Sequence, residues 1–138
     1  MSEAKEKWGK VSKKIFRILL VDDDSDIILS YRRCLVKNGF AVDTFNNPLQ
    51  ALSSFRQGAY DLLLLDIRMP KMSGLELFRE IEKMDKNVKV CFITSFVTYY
   101  ESLKEIYPDL KVNCVIKKPI QSDNLVKRIK EELKIGSL

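Results

Sequence analysis

The sequence predicts an α/β domain, a doubly wound parallel sheet of five strands, and three observations carry that prediction. Leu62-Leu63-Leu64-Leu65 is apolar without alternation, as a central parallel strand covered on both faces must be. Strand-like and helix-like segments alternate five times with short connections, the pattern of βα units. Four apolar runs also end on polar residues suited to phosphate or metal chemistry. Ile18-Leu19-Leu20-Val21 ends on Asp22-Asp23-Asp24, the leucine run on Asp66, Val90-Cys91-Phe92-Ile93 on Thr94-Ser95, and Cys114-Val115-Ile116 on Lys117-Lys118-Pro119. Singly, each has a plain reading: an Asp after a strand caps a helix, and a Lys-Pro pair is a solvated turn. Together, at the end where parallel sheets bind ligands, they describe one site.

The first strand is expected over residues 15–21. Asp24, Ser25 or Asp26 can cap the helix that follows, whose Ile27, Ile28, Tyr31 and Leu35 keep helical spacing until Asn38-Gly39 stops it. Residues 40–45 alternate weakly, as an edge strand would, and Pro48 opens a short helix with Leu49, Leu52 and Phe55 that Gly58 closes. The third strand ends at Asp66, and Leu75, Leu77, Phe78 and Ile81 line the next helix. A fourth strand is expected over 88–93, a helix over 99–107 ended by Pro108, and a short fifth strand over 114–116. Ser122-Asp123 is expected to cap a last helix carrying Leu125, Val126, Ile129 and Leu133.

A length of 138 residues fits one domain, here 15–138, after a basic tail over 1–14. That tail holds five lysines against two glutamates, most of the net charge of +5, and is expected to be disordered; binding of nucleic acid through it is not expected. With so little chain after the last helix, no output domain is expected to follow. No apolar run approaches the roughly 20 residues that cross a bilayer and no signal peptide is evident, so a cytoplasmic protein without membrane insertion is expected. Cys34, Cys91 and Cys114 are odd in number and set in apolar or helical surroundings, which reads as buried free thiols in a reducing compartment. Histidine is absent, which excludes Ser-His-Asp and Cys-His schemes, His-ligated zinc, and any role as a histidine kinase or histidine phosphotransfer protein.

Right-handed crossovers bring the ends of the first, third, fourth and fifth strands together, so Asp22, Asp23 and Asp66 share a pocket. A pair of like unit charges 4 Å apart repels by about 4 kcal/mol at an effective dielectric near 20, so the pocket calls for positive charge. A hard divalent cation held by oxygen ligands, Mg²⁺ above all, meets that need, with Lys118 supplying the remainder. Given a phosphodonor, the Asp66 carboxylate can attack phosphorus in line, and Thr94 can donate its hydroxyl to a phosphoryl oxygen, with the small Ser95 leaving room beside it.

Val21-Asp22-Asp23-Asp24, the stretch Leu65-Asp66-Ile67-Arg68-Met69-Pro70-Lys71-Met72-Ser73-Gly74, Thr94-Ser95 and Lys118-Pro119 together resemble the motifs of the receiver domain of two-component response regulators, over about residues 15–134. The resemblance implies a flavodoxin-like (βα)5 fold with strand order 2-1-3-4-5. It implies Asp66 as phosphoacceptor; Asp23, Asp66 and the Arg68 carbonyl as Mg²⁺ ligands, with Asp22 reaching the metal through water; and Thr94, Ser95 and Lys118 at the phosphoryl group, with a cis bond before Pro119. It further implies phosphoryl transfer from a sensor histidine kinase or a phosphotransfer protein, then slow self-hydrolysis rather than turnover of another substrate. In a form without an output domain, the signal would pass to a downstream protein through the fourth helix, fifth strand and fifth helix, here with Tyr99, Tyr100, Leu103, Lys117, Lys127 and Lys130. Arg68 and Phe96 fall where the family tunes access of hydrolytic water.

One departure stands out: Val115 occupies the position where the family has a switch aromatic, a role that Tyr99 or Tyr100 could take. Val115 is what favours the alternative of an adaptor that keeps the fold and signals without phosphorylation. A haloacid-dehalogenase-type phosphatase would need an acid where Arg68 stands, and a flavin protein would need a phosphate loop where Asp22-Asp23-Asp24 repels phosphate.

Overall fold

The computed structural model describes residues 14–109 and 114–135. Five parallel strands, β1 (Arg17–Val21), β2 (Ala41–Phe45), β3 (Leu62–Asp66), β4 (Lys89–Thr94) and β5 (Val115–Lys117), lie in the order β2-β1-β3-β4-β5. They alternate with α1 (Ser25–Lys37), α2 (Pro48–Ser54), α3 (Gly74–Met84), α4 (Val97–Ile106) and α5 (Ser122–Leu133). The fold is the doubly wound, flavodoxin-like arrangement that the sequence predicts.

Because side chains alternate across a strand, each central strand feeds two cores. Ile18, Leu20, Leu62, Leu64, Cys91, Ile93 and Ile116 pack with Tyr31 and Leu35 of α1 and with Leu125, Ile129 and Leu133 of α5. Leu19, Val21, Leu63, Leu65, Val90 and Phe92 pack with Ala51 of α2 and with Leu75, Phe78 and Ile81 of α3. Every residue of β3 is buried, which accounts for its lack of alternation. The weak pattern of β2 suits its place at an edge.

Of the three caps the sequence offers for α1, Asp24 is the one used, its carboxylate accepting from the Asp26 and Ile27 amides at 2.9 and 3.3 Å. Several other element ends differ from the sequence reading. α2 stops at Ser54: Phe55 is extended and buried beside the helix, while Leu49 is 44% exposed. β4 continues through Thr94, and β5 starts one residue later and runs through Lys117, because Thr94 pairs with Lys117 across the two strands. α4 spans Val97–Ile106 rather than 99–107. Gln121, not Ser122-Asp123, is the N-cap of α5, and it makes no side-chain cap bond.

The cysteine expectation is corrected as well: Cys91 and Cys114 form a disulfide and Cys34 alone is free. Cys91 and Cys114 directly precede the paired residues Phe92 and Val115, so strand register sets the two sulfurs side by side. The expected disordered tail lies outside the described residues up to position 13, whereas Lys14 ion-pairs with Asp61 at 2.8 Å. No helix among the described residues is long and apolar enough to cross a membrane.

Candidate functional site

The carboxyl ends of β1, β3, β4 and β5 surround a cleft of about 580 Å³ lined by Asp22, Asp23, Asp24, Ser25, Ile27, Asp66, Arg68, Ser95, Phe96 and Lys118. Asp22 follows β1 and is anchored by its amide, which donates to the Phe45 carbonyl at 3.2 Å. Its carboxylate is fully buried, accepts from the Asp24 amide at 2.9 Å and holds Lys118 Nζ at 2.7 Å. Asp66 ends β3, buried like Asp22, and lies 3.3 Å from the same ammonium. Asp23 is exposed, yet its carboxylate comes within 4.8 Å of those of Asp22 and Asp66.

Lys118 is aimed by two backbone features. Its amide donates to the Thr94 carbonyl at 2.8 Å, which extends the β4–β5 ladder by one step, and its peptide bond to Pro119 is cis. Thr94 is fully buried at the end of β4, and its hydroxyl oxygen accepts from the Phe96 amide at 2.8 Å. The Arg68 guanidinium lies over the Phe96 ring, 4.6 Å from its centroid, at one rim of the cleft.

The electrostatics follow from three carboxylates facing one ammonium. Burial, then the neighbouring Asp22 charge, push the Asp66 pKa up to about 7, against the opposing pull of Lys118. Burial also raises Asp22, outweighing its bond to Lys118. Burial works against the Lys118 charge, but the hydrogen bond to Asp22 and the two acids outweigh it and raise that pKa. With Asp24 and Arg68 counted as well, four acids line the cleft against two cations, and the all-oxygen donor set of Asp22, Asp23 and Asp66 fits a hard divalent cation such as Mg²⁺.

Gly74 is a contributor to the site that the strand-end pattern does not reveal. The β3–α3 loop folds back so that the Gly74 amide donates to the Ile67 carbonyl at 2.8 Å. A Cβ on Gly74 would fall on the Asp66 carbonyl oxygen and lie 3.0 Å from the Asp66 carbonyl carbon. Next to it, Ser73 and Glu76 form a capping box that fixes the start of α3. The signal is present in Ser73-Gly74 and Glu76, but only the folded loop shows what the glycine must clear. Val115 is half-buried and packs against the α2–α3 core with Tyr107. The side chains of Tyr99, Tyr100 and Leu103 lie outside those described.

This fold, with acids just after β1 and at the end of β3, a buried threonine at the end of β4 and a lysine just after β5, defines a receiver domain. The family model of the response regulator receiver domain matches residues 18–130, and the chain belongs to that family. It is 36% identical over 118 residues to the response regulator receiver protein CpdR of Brucella abortus, covering 85% of this chain and 96% of that protein. It is 30% identical over 122 residues to the transcriptional regulatory protein DltR of Streptococcus agalactiae, covering 88% of this chain but 54% of that longer protein. Among solved structures it resembles the CheY-like receiver domain protein of Methanospirillum hungatei, with a TM-score of 0.74 at 27% identity over 88% of this chain and 95% of that one. TrrA of Thermotoga maritima, solved in complex with Mg(2+)-BeF, matches with a TM-score of 0.72 at 34% identity over 85% of this chain and 98% of that one.

Proposed function

We propose that this protein is a phosphorylation switch in which Asp66 accepts a phosphoryl group from a phosphohistidine on a sensor kinase or phosphotransfer protein. The observation that carries the reading is the buried Asp66 carboxylate, grouped with Asp22 and Asp23 and held by Lys118. One Asp66 oxygen attacks phosphorus in line as the bond to the donor nitrogen breaks, leaving an aspartyl phosphate. Lys118 stays beside the reacting carboxylate as a counter-charge for the transferred group. Thr94, whose hydroxyl oxygen accepts from the Phe96 amide, would donate its hydroxyl hydrogen to a phosphoryl oxygen, and the small Ser95 would leave space at the mouth. Asp22, Asp23, Asp66 and the Arg68 carbonyl would hold Mg²⁺, which supplies charge neutralisation to the phosphoryl oxygens when bound. Ordinary hydrolysis of the acyl phosphate resets the switch, so the protein is its own only substrate and no enzyme in the wider sense.

On this reading the protein works in the cytoplasm and passes its signal to a partner protein through α4, β5 and α5. The Mg(2+)-BeF complex of TrrA supports the choice of test. Added on top of Mg²⁺, fluoroberyllate should raise the melting temperature of the wild type further and add nothing to that of Asp66→Asn. A wild type that binds neither would overturn the proposal. It would favour the second reading, an adaptor that signals without phosphorylation, for which Val115 in place of a switch aromatic is the supporting observation.

A further inference from the structure

The Cys91–Cys114 pair plays no part in the phosphoryl chemistry, yet it sits between the two strands that deliver Thr94 and Lys118. Both cysteines are fully buried in the core under α5. β5 is a three-residue edge strand, joined to β4 by the register Phe92–Val115, Ile93–Ile116 and Thr94–Lys117. The bridge lies at one end of that short ladder, where the Phe92 amide donates to the Cys114 carbonyl at 2.9 Å; the bond from the Lys118 amide to the Thr94 carbonyl closes the other. So short an edge strand has few bonds of its own to resist local opening. A covalent link to β4 from the residue just before it therefore restrains a strand that places the site lysine. Cys34, the remaining cysteine, stands on α1 and donates through its sulfur to the Ser122 carbonyl at 3.4 Å.

We infer that Cys91 and Cys114 are a reversible oxidation site, a redox clasp whose closure fixes β5 against β4 and whose opening loosens the strand that carries Lys118. The oxidant class is a small-molecule disulfide. One cysteine thiolate attacks it, forming a mixed disulfide and releasing one thiol. The second cysteine thiolate then attacks the protein sulfur of that mixed disulfide and releases the second thiol. Two protein thiols and one small disulfide become one protein disulfide and two small thiols, the protein protons passing to the leaving sulfurs. Both sulfurs are buried, so exchange requires β5 to open first, and this makes the clasp slow in the folded state and fast in the locally opened one. A disulfide in a compartment that keeps most thiols reduced is generally a transient, sensing one. The structural half of the inference stands without the proposed function; the effect on phosphoryl acceptance rests on it.

The test equilibrates the full protein with oxidised or reduced glutathione, followed by alkylation, intact mass and peptide mapping, with melting and amide exchange measured on both forms. Oxidation should leave one alkylated cysteine, Cys34, and a linked peptide joining Cys91 to Cys114. The closed form should melt about 10 °C above the reduced one. Amides of Ile116, Lys117 and Lys118 should exchange at least about tenfold faster after reduction. Cys34→Ser should keep the whole response, and Cys91→Ala with Cys114→Ala should abolish it. Because that double variant could unfold, the comparison of the two redox forms of the wild type is decisive. Three alkylatable thiols after oxidation, or a bridge that changes neither melting nor β5 exchange, would overturn the inference. Reduction should also slow phosphoryl acceptance. If neither form accepts phosphate while melting and exchange still differ, the function proposal fails and the clasp stands; if both forms accept at equal rates, the coupling of clasp to site is refuted.

Discussion

Replacing Asp66 with asparagine keeps the shape of the side chain and removes one of three negative charges crowded at the strand ends. The cost of that charge can be read from its proton affinity. Its pKa is raised from 3.8 to about 7, burial being the larger cause and Asp22 the next. A tenfold change in proton affinity is worth about 1.4 kcal/mol, so ionising Asp66 in the metal-free fold costs about 4 kcal/mol at most. Allowing for relaxation and for the weaker bond that an amide makes with Lys118, the substitution should stabilise the metal-free protein by about 2–3 kcal/mol at pH 8. Urea unfolding with a chelator present measures this directly. The stability that the Asp66 proton provides is full below about 3.8 and is lost as pH rises through about 7, so the advantage of the variant should shrink between pH 8 and pH 5. Mg²⁺ should reverse the ranking of responses. At 100 times its dissociation constant, linkage adds about 2.7 kcal/mol to whichever protein binds it, and the wild type should gain more than the variant. A variant no more stable than wild type at pH 8, or equal Mg²⁺ shifts, would refute the crowded-acid account.

Three further outcomes are expected. Lys118→Met leaves Asp22, which holds Lys118 at 2.7 Å in a fully buried setting, without its counter-ion; the metal-free protein should lose about 3 kcal/mol and phosphoryl acceptance should fall at least about 100-fold, and a near-neutral result in both assays would contradict the site. Gly74→Ala should cost about 2–3 kcal/mol in chemical denaturation and weaken fluoroberyllate binding, because the added methyl falls on the Asp66 carbonyl and within 3.2 Å of Ile67 Cα. At low Mg²⁺ the rate of phosphoryl acceptance should rise with pH around a midpoint near the Asp66 value of about 7, and saturating Mg²⁺ should move that midpoint down; a pH-independent rate would show that Asp66 is already ionised without metal.

Most of the site is legible in the sequence because strand ends are legible. Asp22, Asp66, Thr94 and Lys118 each terminate or follow an unbroken apolar run, and in a parallel sheet those ends must meet. Periodicity does not show which acid is buried: Asp22 is fully enclosed and Asp23, next to it, is exposed, a difference set by the Phe45 and Lys118 contacts. The bounds of α4 are the least legible, since its run of aromatic and polar residues keeps no clear helical stripe. Reasoning from cysteine count and compartment misses the disulfide. Aligning β4 with β5 so that Thr94 pairs with Lys117 sets Cys91 beside Cys114, a geometric signal stronger than the compositional one.

The most direct test of the central claim is intact mass spectrometry of wild type and Asp66→Asn after incubation with Mg²⁺ and a small-molecule phosphodonor such as a phosphoramidate. One added phosphoryl group is expected on the wild type when Mg²⁺ is present during the incubation, none when Mg²⁺ is left out, and none on the variant in either case. Labelling of both proteins alike, or of neither, would contradict the assignment of Asp66 as phosphoacceptor.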